Sequence, residues 1–291
     1  MRRRRRWTGG LIGVGFVVLG GLLAGPACGG GGGGGGSGGD ASHKVLRVGS
    51  DIEYAPIEFY KAGTQEIQGL DYDLALALGK ELGFKVEFVN DTDFAGMIGA
   101  LAASRFDVIM SAMNDTAERR AKGVDFIDYF KAGSSILVQK GNPKGIKSVD
   151  DLCGNTVSVQ KGTTQDTDIL TPQEGKCRDA KKPIEVLRFE KDTDALQQVK
   201  NGRAVADLED FPVAAYNAQT SGGGADFEVV PGQFGDVGAY GIAVRKGDKL
   251  MRDNLRAALQ TIIKNGTYDQ ILARWNVSAG ALKTAAINGE E

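Results

Sequence analysis

Histidine is all but missing from this chain. Of 291 residues only His43 is one, and it stands in a linker ahead of the first strand-like run. That scarcity excludes serine–histidine–aspartate and cysteine–histidine catalysis, and metal chemistry built on histidine ligands. Cysteine is nearly as rare, with Cys28, Cys153 and Cys177 making three. The chain has no G-x-x-x-x-G-K-[ST] phosphate loop. Its Lys and Arg, 35 against 37 Asp and Glu, form no basic patch that would imply a nucleic-acid partner. Carboxylate acid–base chemistry stays open, yet no spacing singles out a pair. No catalytic residue, cofactor or metal is therefore expected.

What is present begins with an address. "MRRRRRW" followed by the apolar run from Leu11 to Ala27 has the layout of a secretory signal. Its glycines at 13, 15, 20, 21 and 25 make it poor for a spanning helix, which needs ~20 apolar residues. Residues 1–27 read as a signal peptide. "LLAGPAC" resembles the lipobox of bacterial lipoproteins, in which the cysteine becomes the lipidated first residue, so Cys28 is the expected lipidation site and membrane anchor. Gly25 and Pro26 depart from that pattern, and simple cleavage near Ala27 is the alternative. After Cys28 come eight glycines, then Ser37-Gly38-Gly39. Residues 28–44 thus read as a flexible tether with a root-mean-square reach of about 20–24 Å. Removing residues 1–27 takes away five Arg and leaves 30 basic against 37 acidic residues, a net charge of −7. Cys153 and Cys177 form an even pair in an exported chain, for which a disulfide is the economical assignment and two buried thiols the alternative.

From Val45 onward, β-branched runs alternate with amphipathic segments, the pattern of an α/β fold. "VLRVGS", "KVEFV" and "FDVIMSA" read as strands. Between them, Leu70, Leu74, Leu78 and Leu82 form a helical stripe closed by Gly83, and Phe94, Met97, Ile98 and Leu101 share the face of a second helix. The pattern restarts after "GSSILVQKGNPKG". "SVDDLCG" reads as a short helix, "TVSVQ", "IEVLRF" and "AVADLED" as strands, and "TTQDTDIL", "DTDALQQVKNG" and "PVAAYNAQT" as helical. A second sheet with its own core is implied. "GAYGIAVRKG" reads as one more strand, and 249–275 as a helical pair broken at Asn265-Gly266.

Three places share one layout, in which a strand ends, small or polar residues follow and a helix starts. Ligands of open α/β sheets bind at such strand ends. In "SAMNDTAERR", Ser111 to Asn114 form the turn, Asp115 and Glu118 fit a capping arrangement, and Arg119 places a cation where the helix end is already positive. It either awaits an anion or pairs with Glu118 or Asp128 on the surface. In "VQKGTTQD" the strand turns through Gly162, and the hydroxyl of Thr163 or Thr164 caps the helix or leaves backbone N–H groups for a ligand. In "DLEDFPVAAY", Asp210 before Pro212 is ordinary helix punctuation or a carboxylate for an ammonium group.

"SDIEYAPIEF", "GLDYDLALALGKELG", "DFAGMIGAL", "DVIMSAMNDTAERR", "VSVQKGTTQ", "NGRAVADLEDFPVAAY", "YGIAVRKGD" and "NGTYDQILARW" together resemble the extracytoplasmic solute-binding proteins, family 3, which deliver polar amino acids to ABC importers. The likeness covers nearly all of 45–275. It implies a two-lobed, type II periplasmic-binding-protein-like α/β fold, with two βαβ lobes joined by a two-segment hinge. Lobe 1 comprises 45–132 plus 232–277 and lobe 2 comprises 133–231, with 278–291 as a C-terminal tail. By the same resemblance Arg119 clamps a ligand α-carboxylate and Asp210 accepts from its α-ammonium. Ser111, Ala112 and Asn114 form the turn that fixes both ends, Thr164 supplies a backbone donor, and Tyr54 and Phe94 sandwich the stem. Asp51, Gln160 and Glu209 meet the variable side chain. Ala112 stands where many relatives carry a hydroxyl. Acids at the side-chain end favour a cationic or amide amino acid over glutamate, since like charges repel strongly in a low-dielectric cleft.

The expected protein is therefore no enzyme but a monomeric, cell-surface lipoprotein on the outer face of the cytoplasmic membrane. Its partners are a free amino acid and ABC permease subunits. The competing readings are a dehydratase on the same fold and a ligand-sensing lipoprotein subunit.

Overall fold

The computed structural model describes residues 44–290. The signal segment, the lipobox with Cys28 and His43 lie outside them. Lys44, read as the last residue of the tether, belongs to a strand.

The elements follow in chain order: β1 (Lys44–Ser50), β2 (Glu53–Tyr54), β3 (Glu58–Tyr60), β4 (Ile67–Gln68), α1 (Leu70–Leu82), β5 (Phe84–Asn90), α2 (Met97–Ala102), β6 (Val108–Ile109), α3 (Ala117–Ala121) and β7 (Val124–Gln139). Then come β8 (Thr156–Gln160), α4 (Thr171–Asp179), β9 (Glu185–Phe189), α5 (Asp192–Lys200), β10 (Ala206–Asp210), α6 (Phe211–Thr220), β11 (Phe227–Val229), β12 (Phe234–Arg245), α7 (Lys249–Lys264), α8 (Thr267–Arg274) and β13 (Ala286–Ile287). In α1 the stripe buries Leu70, Leu74 and Leu78, and Gly83 ends the helix at φ 68°, its N–H bonding back to Gly79 and Lys80. Gly266, at φ 80°, separates α7 from α8.

Ten strands form one sheet in the order β5-β1-β6-β12-β7-β10-β8-β9, with β11 and β13 also on β7. β1 runs parallel to β5 and β6, and β8 parallel to β9 and β10. The second, separate sheet implied by the sequence is thus a continuation of the first. Its cause is β7, which spans 16 residues and pairs antiparallel with β12 along its first half and β10 along its second. "GSS" at 133–135 reads as a break yet lies inside this strand. A side chain at Gly133 would meet the Gln233 side chain, so the glycine permits a close approach and does not end the strand.

The apolar core divides where β7 crosses. On one side, α1, α7 and α8 cover β1 and β7 through Leu74, Leu78, Tyr129, Leu255, Leu259 and Tyr268. The opposite sheet face there is covered by Met97, Leu101, Phe106 and Phe126. Beyond Ser135, a different cluster gathers Ile136, Val157, Val159, Leu170 and Leu208, with Leu137, Val199, Ala214 and Phe227 on the other face. β12 and the α7–α8 pair, whose sheet was left open by the sequence, join the first body.

Four local features differ from expectation. Residues 53–68 hold a small β2-β3-β4 sheet with no sequence signature. "SVDDLCG" forms only a 3₁₀ turn, Val149–Leu152, boxed by Ser148 and Asp151. Part of "TTQDTDIL" is a π-helical turn, Gln165–Leu170, leading into α4. The segment read as a C-terminal tail is docked: β13 pairs with β7, Ala285 and Ala286 are buried, and Asn288 Oδ1 accepts from the Phe126 N–H at 2.8 Å. Cys153 and Cys177 are joined by a disulfide, their Cα atoms 5.1 Å apart.

Candidate functional site

Nine of the eleven expected ligand residues line one cleft between the two bodies: Asp51, Tyr54, Phe94, Ser111, Ala112, Asn114, Arg119, Gln160 and Asp210. Strand ends deliver most of them. Asp51 follows β1, Ser111–Asn114 follow β6, Gln160 ends β8 and Asp210 ends β10.

Arg119 is 7% exposed, which removes the surface-pair alternative. Its Nη1 donates to the Asn114 carbonyl at 2.9 Å and its Nη2 to the Gly162 carbonyl, in the facing body, at 3.0 Å. The guanidinium lies 5.4 Å from the Phe94 ring centroid, within cation–π range. Asp115 and Glu118 serve other cations: Asp115 pairs with Arg120 at 2.7 Å and Glu118 with Lys122. The α3 cap is Thr116, whose hydroxyl accepts from the Arg119 N–H, so the expected Asp115–Glu118 arrangement is replaced. Burial lowers Arg119 to about 10, against the raising charge of Asp210, and it stays cationic at neutral pH.

Asp210 does not cap its helix through its side chain. The carboxylate turns into the cleft, where Tyr54 Oη donates to Oδ2 at 3.0 Å and Gln165 Nε2 to Oδ1 at 2.9 Å. Burial pushes it up to about 6, opposed by its neighbours Tyr240, Tyr54 and Gln165 and by the charge of Arg119. Burial likewise pushes Asp51 up to about 7, opposed by the Gln160 Nε2 bond to Oδ2 at 2.7 Å. Its other oxygen is buried without a partner, an acceptor left open for a donor.

The turn is held from beneath. Ser111 Oγ donates to Glu58 at 2.8 Å and accepts from the Asp51 N–H at 2.9 Å. The Ala112 N–H donates to Asp71, which also accepts from Tyr129 Oη. Ala112 sits at φ 47°, a left-handed conformation that a β-branched hydroxyl residue would adopt only with strain. Burial, then the charge of Asp71, raises Glu58 well above the usual carboxylate range.

Two expected residues fall outside the lining. Thr164 sits at the rim, its hydroxyl donating to Asn114 Oδ1 at 3.0 Å across the cleft. Glu209 is the neighbour of Asp210 on β10 and so points to the opposite face, where Oε2 accepts from Asn217. Three residues were missed: Glu58, Thr163 and Gln165. Thr163 Oγ1 accepts from the Asp166 N–H and donates to the Gln160 carbonyl, so it is the hydroxyl that caps. A polar Glu58 between Ile57 and Phe59 was the one signal available. Cross-cleft contacts are completed by Glu53, bonded to Lys191 and to Thr193 Oγ1.

Comparison with known proteins adds to this geometry. The profile of the bacterial extracellular solute-binding proteins, family 3, matches residues 46–278. The arginine-binding protein ArgT of Corynebacterium glutamicum is 32% identical over 249 residues, covering 85% of this chain and 79% of that protein. An ancestral arginine-binding protein bound to arginine superposes with a TM-score of 0.73 at 36% identity, over 80% of this chain and 98% of its own. An ancestral arginine-binding protein bound to glutamine gives 0.71 at 38% identity, over 81% and 99%.

Proposed function

The chain belongs to the bacterial extracellular solute-binding proteins, family 3, and from that premise we propose that it captures a polar L-amino acid with a cationic or amide side chain and hands it to an ABC importer. The observation that carries this reading is the pair of buried, opposite charges, Arg119 and Asp210, lining one cleft from its two sides. A guanidinium fork suits a carboxylate and a carboxylate accepts from an ammonium, so together they grip both poles of a free amino acid. Asp51, with one unpartnered oxygen and the Gln160 amide beside it, is placed to meet the ligand side chain. It favours cations or amide N–H donors and repels a second carboxylate.

Lobe 1 is assigned to 45–132 plus 232–277 and lobe 2 to 133–231, consistent with the division of the apolar core near Ser135. The crossings of β7 and β12 are the natural hinge, because both strands run between the two bodies. Among the described residues no helix is long and apolar enough to cross a membrane. Anchoring is assigned to a lipid on Cys28, and the partners to permease subunits.

The test is a thermal-shift panel of the twenty amino acids on the mature protein. A ligand at a hundredfold excess over its dissociation constant stabilises the fold by about 2.7 kcal/mol. Arginine, lysine, histidine or glutamine should raise the transition and aspartate and glutamate should not. No shift with any amino acid overturns the proposal.

A further inference from the structure

Away from the cleft lining, α5 meets β10, and three acids converge there. Asp192, Asp207 and Glu209 each offer a carboxylate oxygen within 4.8 Å of the others, and they are 4%, 0% and 1% exposed. Among the described residues no lysine or arginine forms an ion pair with any of the three. Both oxygens of Asp207 and Oε1 of Glu209 are shut off from solvent without a hydrogen-bond partner. The Ser158 hydroxyl and the Leu208 N–H are weak donors toward Asp207, short of good hydrogen-bond geometry, and Ser158 Oγ also reaches the Ala206 carbonyl at 3.4 Å. A buried carboxylate oxygen with no donor costs free energy, and gathering three acids adds their mutual repulsion.

We propose that these three side chains form a binding site for a calcium-sized divalent cation inside the second body. Calcium takes oxygen ligands at ~2.3–2.6 Å, so two oxygens on one ion lie at most ~4.6–5.2 Å apart. The three oxygens, all within 4.8 Å of one another, are compatible with the longer of these spans. Magnesium demands octahedral geometry and keeps several waters, for which this dry position is a poor match. Hard carboxylate oxygens, with no sulfur or nitrogen among them, select such an ion over softer metals. Asn217, donating to Glu209 Oε2 at 3.0 Å, orients one ligand from α6. The cation would tie the start of α5 to the end of β10 within one residue of Asp210 and of Lys191, two residues at the cleft and its rim.

The test uses the mature protein stripped with EDTA and titrated with calcium chloride, followed by calorimetry and by thermal unfolding, with magnesium chloride in parallel. One calcium per chain and a raised unfolding temperature are expected, with a smaller response to magnesium. Asp207→Asn should weaken calcium binding by ~10-fold or more, since changing even outer-sphere partners costs that much. Glu209→Gln, which keeps size and shape, supplies the same comparison if Asp207→Asn does not fold. No bound calcium at millimolar concentration, or unchanged affinity in a folded variant, overturns the proposal.

Discussion

The two bodies on either side of the cleft are fastened differently. The first sets cations among its buried acids: Asp115 pairs with Arg120, and Arg119 supplies the cleft with its buried cation, while Asp71 accepts from Tyr129 and Ala112. It also owns the larger apolar cluster, spread over α1, α7 and α8. The second body has a smaller cluster, a disulfide from Cys153 to α4, and along one side of β10 two buried acids, Asp207 and Glu209, with no cation paired to them among the described residues. Where a core is small and carries internal charge, a crosslink restrains the unfolded chain and offsets what packing does not supply. The comparison teaches that the cation and the anion of the site arise in bodies with different internal chemistry.

Removing the cation should give the largest effect. Arg119→Ala should cost roughly 2–5 kcal/mol of amino-acid affinity, the range for truncating one partner of a buried charge pair. Titration calorimetry checks it, and wild-type affinity in the variant would show that no carboxylate sits there. Breaking the crosslink tests the second body alone. Cys153→Ser with Cys177→Ser should destabilise by about 3 kcal/mol for a 24-residue separation, read by urea unfolding. A loss near zero would mean the second core is sufficient by itself.

The pH dependence follows from Asp51, raised from 3.8 to about 7 by burial, with Gln160 lowering it, Glu53 raising it, Lys191 lowering it and Asp91 raising it. A cationic ligand needs the ionised form, so binding near pH 7 should release a fraction of a proton, and affinity should fall as pH drops below about 7. Calorimetry in buffers of different ionisation enthalpy measures this, and Asp51→Asn should abolish it. For unliganded stability, the raised group contributes most below 3.8 and loses that contribution as pH rises through about 7. The smallest effect belongs to Thr164→Val, which removes one cross-cleft hydroxyl bond to Asn114. It should weaken ligand binding by about 0.5–1.5 kcal/mol, and a larger loss would make the rim part of the site.

Much of the site was legible because its residues sit at strand ends next to punctuation. Arg119 in a first helical turn runs against the local charge rule, whereas Asp210 ahead of Pro212 is ordinary punctuation that only the family resemblance singles out. Glu58 escaped because a three-residue strand shows no periodicity, and Gln165 because a π-helical turn leaves no mark in composition. Glu209 was misplaced for a reason the sequence did contain: neighbours on a strand face opposite ways. Asp192 and Glu209 are brought together only by the packing of α5 on β10.

By itself the sequence determined the alternation of strand and helix, the α1 stripe and the pairing of two scarce cysteines, since each is set by local periodicity or by counting. Tertiary structure alone decided that the two bodies share one sheet, that β13 docks on β7, and where each acid points. Long-range strand pairing and burial set those outcomes, and neither is written in neighbouring residues.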